Sequence, residues 1–246
     1  MPESGLLLLA SGFVGFLIGT VGVGGILLIP ALVALAGLTP HQASATALFT
    51  FLFTGILGTA LFQRRGSIDW RQAATVCAGA MIFSYLGALA SSRIGDTSLM
   101  RVIAVLIIFA GIYVFIPTRN LAAAEKNTAR FPLLIAIGAA AGFGSGFSGA
   151  GGPLFSVPLM MVAGFPPLLT VGTSQVLQIV SSTSGTIANI SYGDIQWRLV
   201  ASITAAELAG VIVGTKLAHA VGANTLRRGA GLICLTVGSW LLIQNL

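Results

Sequence analysis

The amino-acid sequence predicts an all-α polytopic membrane protein built from two inverted repeats, with eight to ten membrane helices. Three observations carry that expectation: a composition too apolar for an ordinary water-facing surface, an internal repeat, and a glycine cluster that occurs once in each copy. Of 246 residues, 56% are hydrophobic and 7% charged, against about 25% charged in a soluble domain. Apolar runs of membrane-spanning length recur along the chain, and helices satisfy their own backbone inside a bilayer. The start, MPESGLLLLASGF, carries Glu3 and no Lys or Arg before its apolar run. A secretory signal wants a basic leading region, so this stretch is expected to be the first membrane segment. The net charge of +6 sits in short loops between apolar runs and points to no nucleic-acid partner. Cys77 and Cys234 lie far apart in apolar segments and read as small hydrophobes rather than a disulfide or metal site.

The repeat appears when residue n is laid on residue n+127. Gly19, Gly22, Gly24 and Gly25 fall on Gly146, Gly149, Gly151 and Gly152, and the register continues without a gap. Gly37 meets Gly164, Pro40 meets Pro167, Thr46 meets Thr173, and GSIDWR (66–71) meets GDIQWR (193–198). Eleven glycine pairs share the offset, where chance gives about two, so the duplication is real. The expected organisation is a first transmembrane repeat over 1–119, a polar cytoplasmic linker over 120–131 and a second repeat over 132–246.

Each half reads as the same series of elements. A first apolar stretch (5–37 and 133–164) is interrupted by the glycines. Three uninterrupted helices follow, at 43–63, 71–91 and 98–117 and again at 169–191, 198–218 and 225–245. The pieces of the first stretch, about 16 and about 12 residues, make helices of about 24 Å and 18 Å. Both fall short of a ~30 Å hydrocarbon core. Trp70, Trp197 and Trp240 read as interfacial anchors, and His41 as a solvated loop histidine.

Basic residues collect on the cytoplasmic side and choose between parallel and inverted halves. With Arg64, Arg65 and Arg71 inside, the inverted arrangement puts nine Lys and Arg inside and three outside; the parallel one gives seven and five. The inverted arrangement fits better, with both termini outside.

The glycines admit three readings. A nucleotide loop is excluded by spacing, since GTVGVGG matches neither phosphate-binding pattern. Small-residue packing suits Gly15, Gly19, Gly58 and their mates, whose spacing lets helices approach closely. Adjacent glycines fit a discontinuous helix better. Unwound backbone at membrane depth lines protein or a wet cavity, and the helix that starts there aims bare N–H groups at it. Breaks at matching positions of two repeats point to a transporter's binding site. Gly24, Gly25, Gly151 and Gly152 are therefore the candidate anion ligands.

The helix after the second break, TVGTSQVLQIVSSTSGTIANIS, carries Thr173, Ser174, Gln175 and Gln178 within one span, more hydrogen-bonding capacity than lipid contact allows. Its mate keeps Thr46, Thr50 and Thr54 on one stripe. Against a role at the site stands the common back-bond of Ser and Thr to their own helix. Glu207 lies mid-helix, where a carboxylate reads either as a proton relay or as a group held between helices. Its mate is Ala80, so any role is asymmetric. No paired carboxylate, His cluster or nucleophile–base set suggests an enzyme, a cofactor or a metal.

Gly22, Gly24, Gly25 and Pro30, then Gly37, Pro40, Ala43, Ala45 and Thr46, then Gly66, Ile68, Asp69 and Trp70, together with the second copy, resemble the TauE/SafE sulfite exporter family. The second copy contributes Gly149, Gly151, Gly152, Pro158, Gly164, Pro167, Gly172, Thr173, Ser174, Gly193, Ile195 and Trp197. Two positions depart from the pattern: Asp69 becomes Gln196, and Pro158 comes one residue late. The resemblance covers essentially the whole chain. It implies a secondary transporter of sulfur-containing anions, such as sulfite, sulfoacetate or other organosulfonates, in a bacterial inner membrane. The anion is expected between the paired glycines, lined by Thr46, Thr173, Ser174, Gln175 and Gln178, with Glu207 available for proton coupling. The alternatives are a passive anion channel and a transporter of another small organic anion. The expected partners are the anion and the lipid bilayer, with the chain a monomer or homodimer.

Overall fold

The computed structural model describes residues 2–22, 24–114, 131–192, 195–220 and 223–244. The described chain is helical throughout. Helix α1 (Pro2–Val21) leads through a single 3-10 turn (Gly25–Leu27) into α2 (Leu28–Ala36). Then come α3 (Pro40–Gln63), α4 (Trp70–Ser91) and α5 (Asp96–Val114). The second series is α6 (Phe131–Ser148), α7 (Pro153–Val162), α8 (Pro167–Tyr192), α9 (Trp197–Ala220) and α10 (Ala223–Gln244). Five helices are long and apolar enough to cross a membrane: Pro40–Gln63, Trp70–Ser91, Asp96–Tyr113, Phe131–Ser148 and Trp197–Ala218. Shorter apolar helices include Gly25–Ala36 and Pro153–Val162. The protein is an all-α, multi-pass membrane protein. Nearly all of the expected linker over 120–131 lies outside the described residues.

Two expectations need correction. The pieces before the breaks are longer than expected, 20 residues in α1 and 18 in α6, and α6 reaches spanning length. The added residues lie at the leading ends, since α1 begins at Pro2 and α6 at Phe131, ahead of the expected starts at 5 and 133. His41 is also not a free loop residue. Thr39 and Gln42 form a reciprocal capping box, so α3 begins at Pro40 and takes His41 into its first turn. The ring then lies with Nδ1 2.5 Å from Asp96 Oδ1 and Nε2 3.0 Å from the Ser91 carbonyl. This ties the start of α3 to the junction of α4 and α5.

Close approach between helices follows the repeat offset. A Cβ on Gly15 would run into the backbone of Glu207, and one on its mate Gly142 into Ala80, the mate of Glu207. Gly19 abuts Val211, while Gly146 abuts Ser84. Gly111 abuts Leu235, while Gly238 abuts Ile108. Thus α1 lies on α9 and α6 on α4, each half lending its first helix to the other, with backbone contact that only small residues permit. Helices α3 and α8 meet each other, as do α5 and α10.

Two contacts align the ends. Arg65, just past α3, donates from Nη1 to the Thr215 carbonyl near the end of α9 at 2.9 Å. At the other end of α3, Thr46 Oγ1 accepts the N–H of Gln196, before α9, at 3.0 Å. Helices α3 and α9 therefore run in the same direction. The main core surrounds α2, whose Leu28, Ile29 and Leu32 are fully buried between α1, α3 and α5. Trp70 and Trp197, the first residues of α4 and α9, are more than half exposed.

Candidate functional site

Both breaks begin the same way. Helix α1 stops where Gly22 turns left-handed (φ 75°), and α6 stops where Gly149 does so (φ 72°). Their N–H groups close the last helical turn on Ile18 O and Ser145 O, at 3.1 and 2.9 Å. A left-handed residue after a helix end favours glycine, which has no Cβ to clash. Past this point the copies diverge. Gly24 is extended and caps the short 3-10 turn. Gly151 is left-handed (φ 78°), and Gly152 caps α7 with Pro153 in the first helical position. Proline there costs nothing, because its missing N–H would have no helical partner.

The two breaks touch. A Cβ built on Gly25 would lie 2.9 Å from the carbonyl oxygen of Ala150 and 3.0 Å from Cζ of Phe51. One on Gly151 would lie 3.3 Å from Cδ2 of Phe51 and 3.8 Å from the amide carbon of Gln178. A Cβ on Gly152 would lie 3.1 Å from Leu177 and from Ser181 Oγ, whereas Gly24 faces Leu17 of its own α1. Among the described residues, the turn and loop backbone hydrogen bonds here draw on none of the N–H groups of Gly24, Gly25, Gly151 or Gly152. The segments that lead into α2 and α7 thus lie against each other in a buried region.

The polar side chains of α8 divide into two groups. Ser174 and Gln178 belong with the breaks. Ser174 Oγ lies 2.7 Å from Ser156 Oγ on α7, which itself sits 3.0 Å from the Gly152 carbonyl. Gln178 donates from Nε2 to the Phe51 carbonyl at 3.0 Å and to Thr54 Oγ1 at 2.7 Å. Gln175 instead donates to Ile18 O at the end of α1, at 3.3 Å. Thr46 and Thr173 have other neighbours. Thr46 holds the loop before α9, and Thr173 follows Gly172, which abuts the Ser67 carbonyl before α4. Thr173, Ser182, Thr170, Thr186 and the Gln175 carbonyl oxygen are buried on α8 without a hydrogen-bond partner. Buried polar atoms are ordinarily paired, so this face has unused capacity.

Glu207 is fully buried on α9. Gly15 presses on its backbone, and its carboxyl oxygens make no hydrogen bond of ordinary geometry, although the Thr50 hydroxyl stands beside them. Thr50 immediately precedes Phe51, so α3 presents one residue to Glu207 and the next to the breaks.

Phe51 and Ser156 were not singled out by sequence reasoning, and Thr50 was read only as one of a stripe with Thr46 and Thr54. For Phe51 a signal existed: at the repeat offset it is the mate of Gln178, an aromatic opposite an amide. Ser156 gave none beyond polarity in an apolar run.

The model of the sulfite exporter TauE/SafE family matches residues 7–241. The chain belongs to that family. Similar proteins include YunE of Bacillus subtilis, 24% identical over 97% of this chain and 96% of the relative. YfcA of Escherichia coli K12 is 25% identical over 98% of this chain and 90% of its own. YdhB of B. subtilis is 26% identical over 96% and 99%. All three are named probable membrane transporter proteins. No solved structure gives a significant match. Membership makes this TauE/SafE chain a membrane transporter of a bacterial family, and the match spans both series of helices.

Proposed function

We propose that this TauE/SafE protein exports small sulfur-containing anions, such as sulfite, sulfoacetate or related organosulfonates, by alternating access of two inverted repeats. One observation carries the reading: the helix breaks at matching positions converge until Gly25 meets Ala150, with the paired glycine amides unused in the local hydrogen bonding. An anion there receives N–H groups and helix-start charge without a fixed cation that would oppose its release. Ser174 and Gln178 border this place. Thr46, Thr173 and Gln175 flank its approaches from the ends of α3, α8 and α1.

The inverted relation is supported by the shared direction of α3 and α9. Helix α9 is the mate of α4, which returns after α3 through a short loop. In parallel repeats α9 would run with α4. The contacts of Arg65 with Thr215 and of Thr46 with Gln196 put it with α3. Glu207 supplies proton coupling in this scheme, because a buried carboxyl next to the anion's helix can carry charge only in some states of the cycle.

Flux in proteoliposomes tests the reading. Labelled sulfite and sulfoacetate should cross with the protein present, faster with a pH gradient than without. If neither these nor other small anions move, the transporter reading fails.

A further inference from the structure

Phe51 is fully buried in the middle of α3, and the edge of its ring, from Cδ2 through Cε2 to Cζ, lies between Gly25 and Gly151. This placement is unlike an ordinary core position. The repeat puts Gln178 in the equivalent place, and the two mates touch across the α3–α8 contact through the bond from Gln178 Nε2 to Phe51 O. The same amide nitrogen reaches Thr54 Oγ1, one turn further along α3. The backbone bearing Phe51 is therefore pinned, while its side chain is held by contacts alone. An aromatic edge carries positive charge and accepts no hydrogen bond, so the ring gives the glycine amides no partner.

We propose that Phe51 is the size-setting residue of the anion site, the partition that an anion must displace to reach both breaks at once. The proposal rests on the anion-transport reading above. The ring turns about its fixed Cα, and the volume it vacates limits how much hydrocarbon can accompany the charged group. Gln178 supplies the polar half of the same boundary, so the site is apolar on the first-repeat side and amide-lined on the second.

The test measures uptake of methane-, ethane-, propane- and butanesulfonate, alongside sulfite, by proteoliposomes containing wild type, Phe51→Leu, Phe51→Ala or Phe53→Leu. Phe53 is partly exposed on the same helix and serves as the control. A methylene in an apolar pocket is worth about tenfold or more in discrimination, so both Phe51 variants should raise butanesulfonate flux relative to methanesulfonate by about tenfold. Phe53→Leu should leave the ratio unchanged. Leu nearly conserves apolar filling, so Phe51→Leu keeps the test valid if Phe51→Ala does not reconstitute. A chain-length profile unchanged in the folded Phe51 variants overturns the role of Phe51 and leaves transport standing. Wild type that moves none of these anions overturns both.

Discussion

A single missing side chain matters differently at each glycine of this protein, because what stands opposite differs. At Gly15 an added Cβ meets the backbone of Glu207, which cannot step aside, whereas at Gly5 nothing lies within reach. Gly15→Ala should therefore lower the melting temperature in detergent by several degrees, at the ~1–3 kcal/mol typical of overpacking. Gly5→Ala should leave it unchanged. The paired glycines separate in the same way. Gly152 faces the ends of Leu177 and Ser181 at 3.1 Å, and Gly25 faces the Ala150 carbonyl at 2.9 Å. Gly152→Ala is expected to fold and to lose flux several-fold, while Gly25→Ala should lose both stability and flux. Flux unchanged in folded Gly152→Ala would reduce that glycine to a packing element. The pairing and position of these glycines were legible in the sequence, since spacing and repetition are properties of the string. What each one faces was not, because it depends on a helix from the other half. Gln175 and Gln178 show the same limit: both are evidently too polar for lipid, yet their partners, Ile18 and Phe51, lie far away in sequence.

The equivalent helices α4 and α9 start by different means. Asp69 caps α4, its carboxylate accepting from the N–H groups of Arg71 and Gln72. Gln196, in the equivalent place, gives its own N–H to Thr46 instead. The change from Asp to Gln that breaks the family pattern is thus met by a contact from another helix. Asp69→Ala should cost about 1 kcal/mol, the usual worth of an N-cap. Thr46→Val, which leaves a partly buried N–H without an acceptor, should cost about 1–3 kcal/mol. Thermal unfolding of the two variants checks both. The uninterrupted helices were legible to within a few residues, because Trp70 and Trp197 mark the starts of α4 and α9, while α3 was started three residues late with its Thr39 cap unread. The broken ones were read as too short, since their first residues, 2–4 and 131–132, precede the apolar runs that marked them.

At the scale of the whole molecule, the two series of helices interlock, and Glu207 is buried on α9 where they meet. If α3 and α9 run together, residues introduced by Arg64→Cys and Lys216→Cys should react with a membrane-impermeant thiol reagent from the same side, after Cys77 and Cys234 are replaced. Reaction from opposite sides would favour parallel repeats. Glu207→Gln keeps the shape and removes the titration. It should leave anion exchange intact while abolishing the acceleration by a pH gradient; an acceleration that persists would show that coupling resides elsewhere. The duplication and membrane class could be read from composition and offset alone. The exchange of helices between copies could not, because the offset shows likeness and carries no information about contact.

That exchange bears on how the chain comes to be made. Helix α1 leaves the ribosome long before its backbone partner α9 is synthesised. Until then the small-residue face of α1 meets only lipid or the insertion machinery. A ribosome that stops after the first repeat would release four membrane segments without their closest neighbours. Two separately translated halves, by contrast, carry every surface needed to find each other, so cutting the chain within 115–130 is a gentler injury than losing either half.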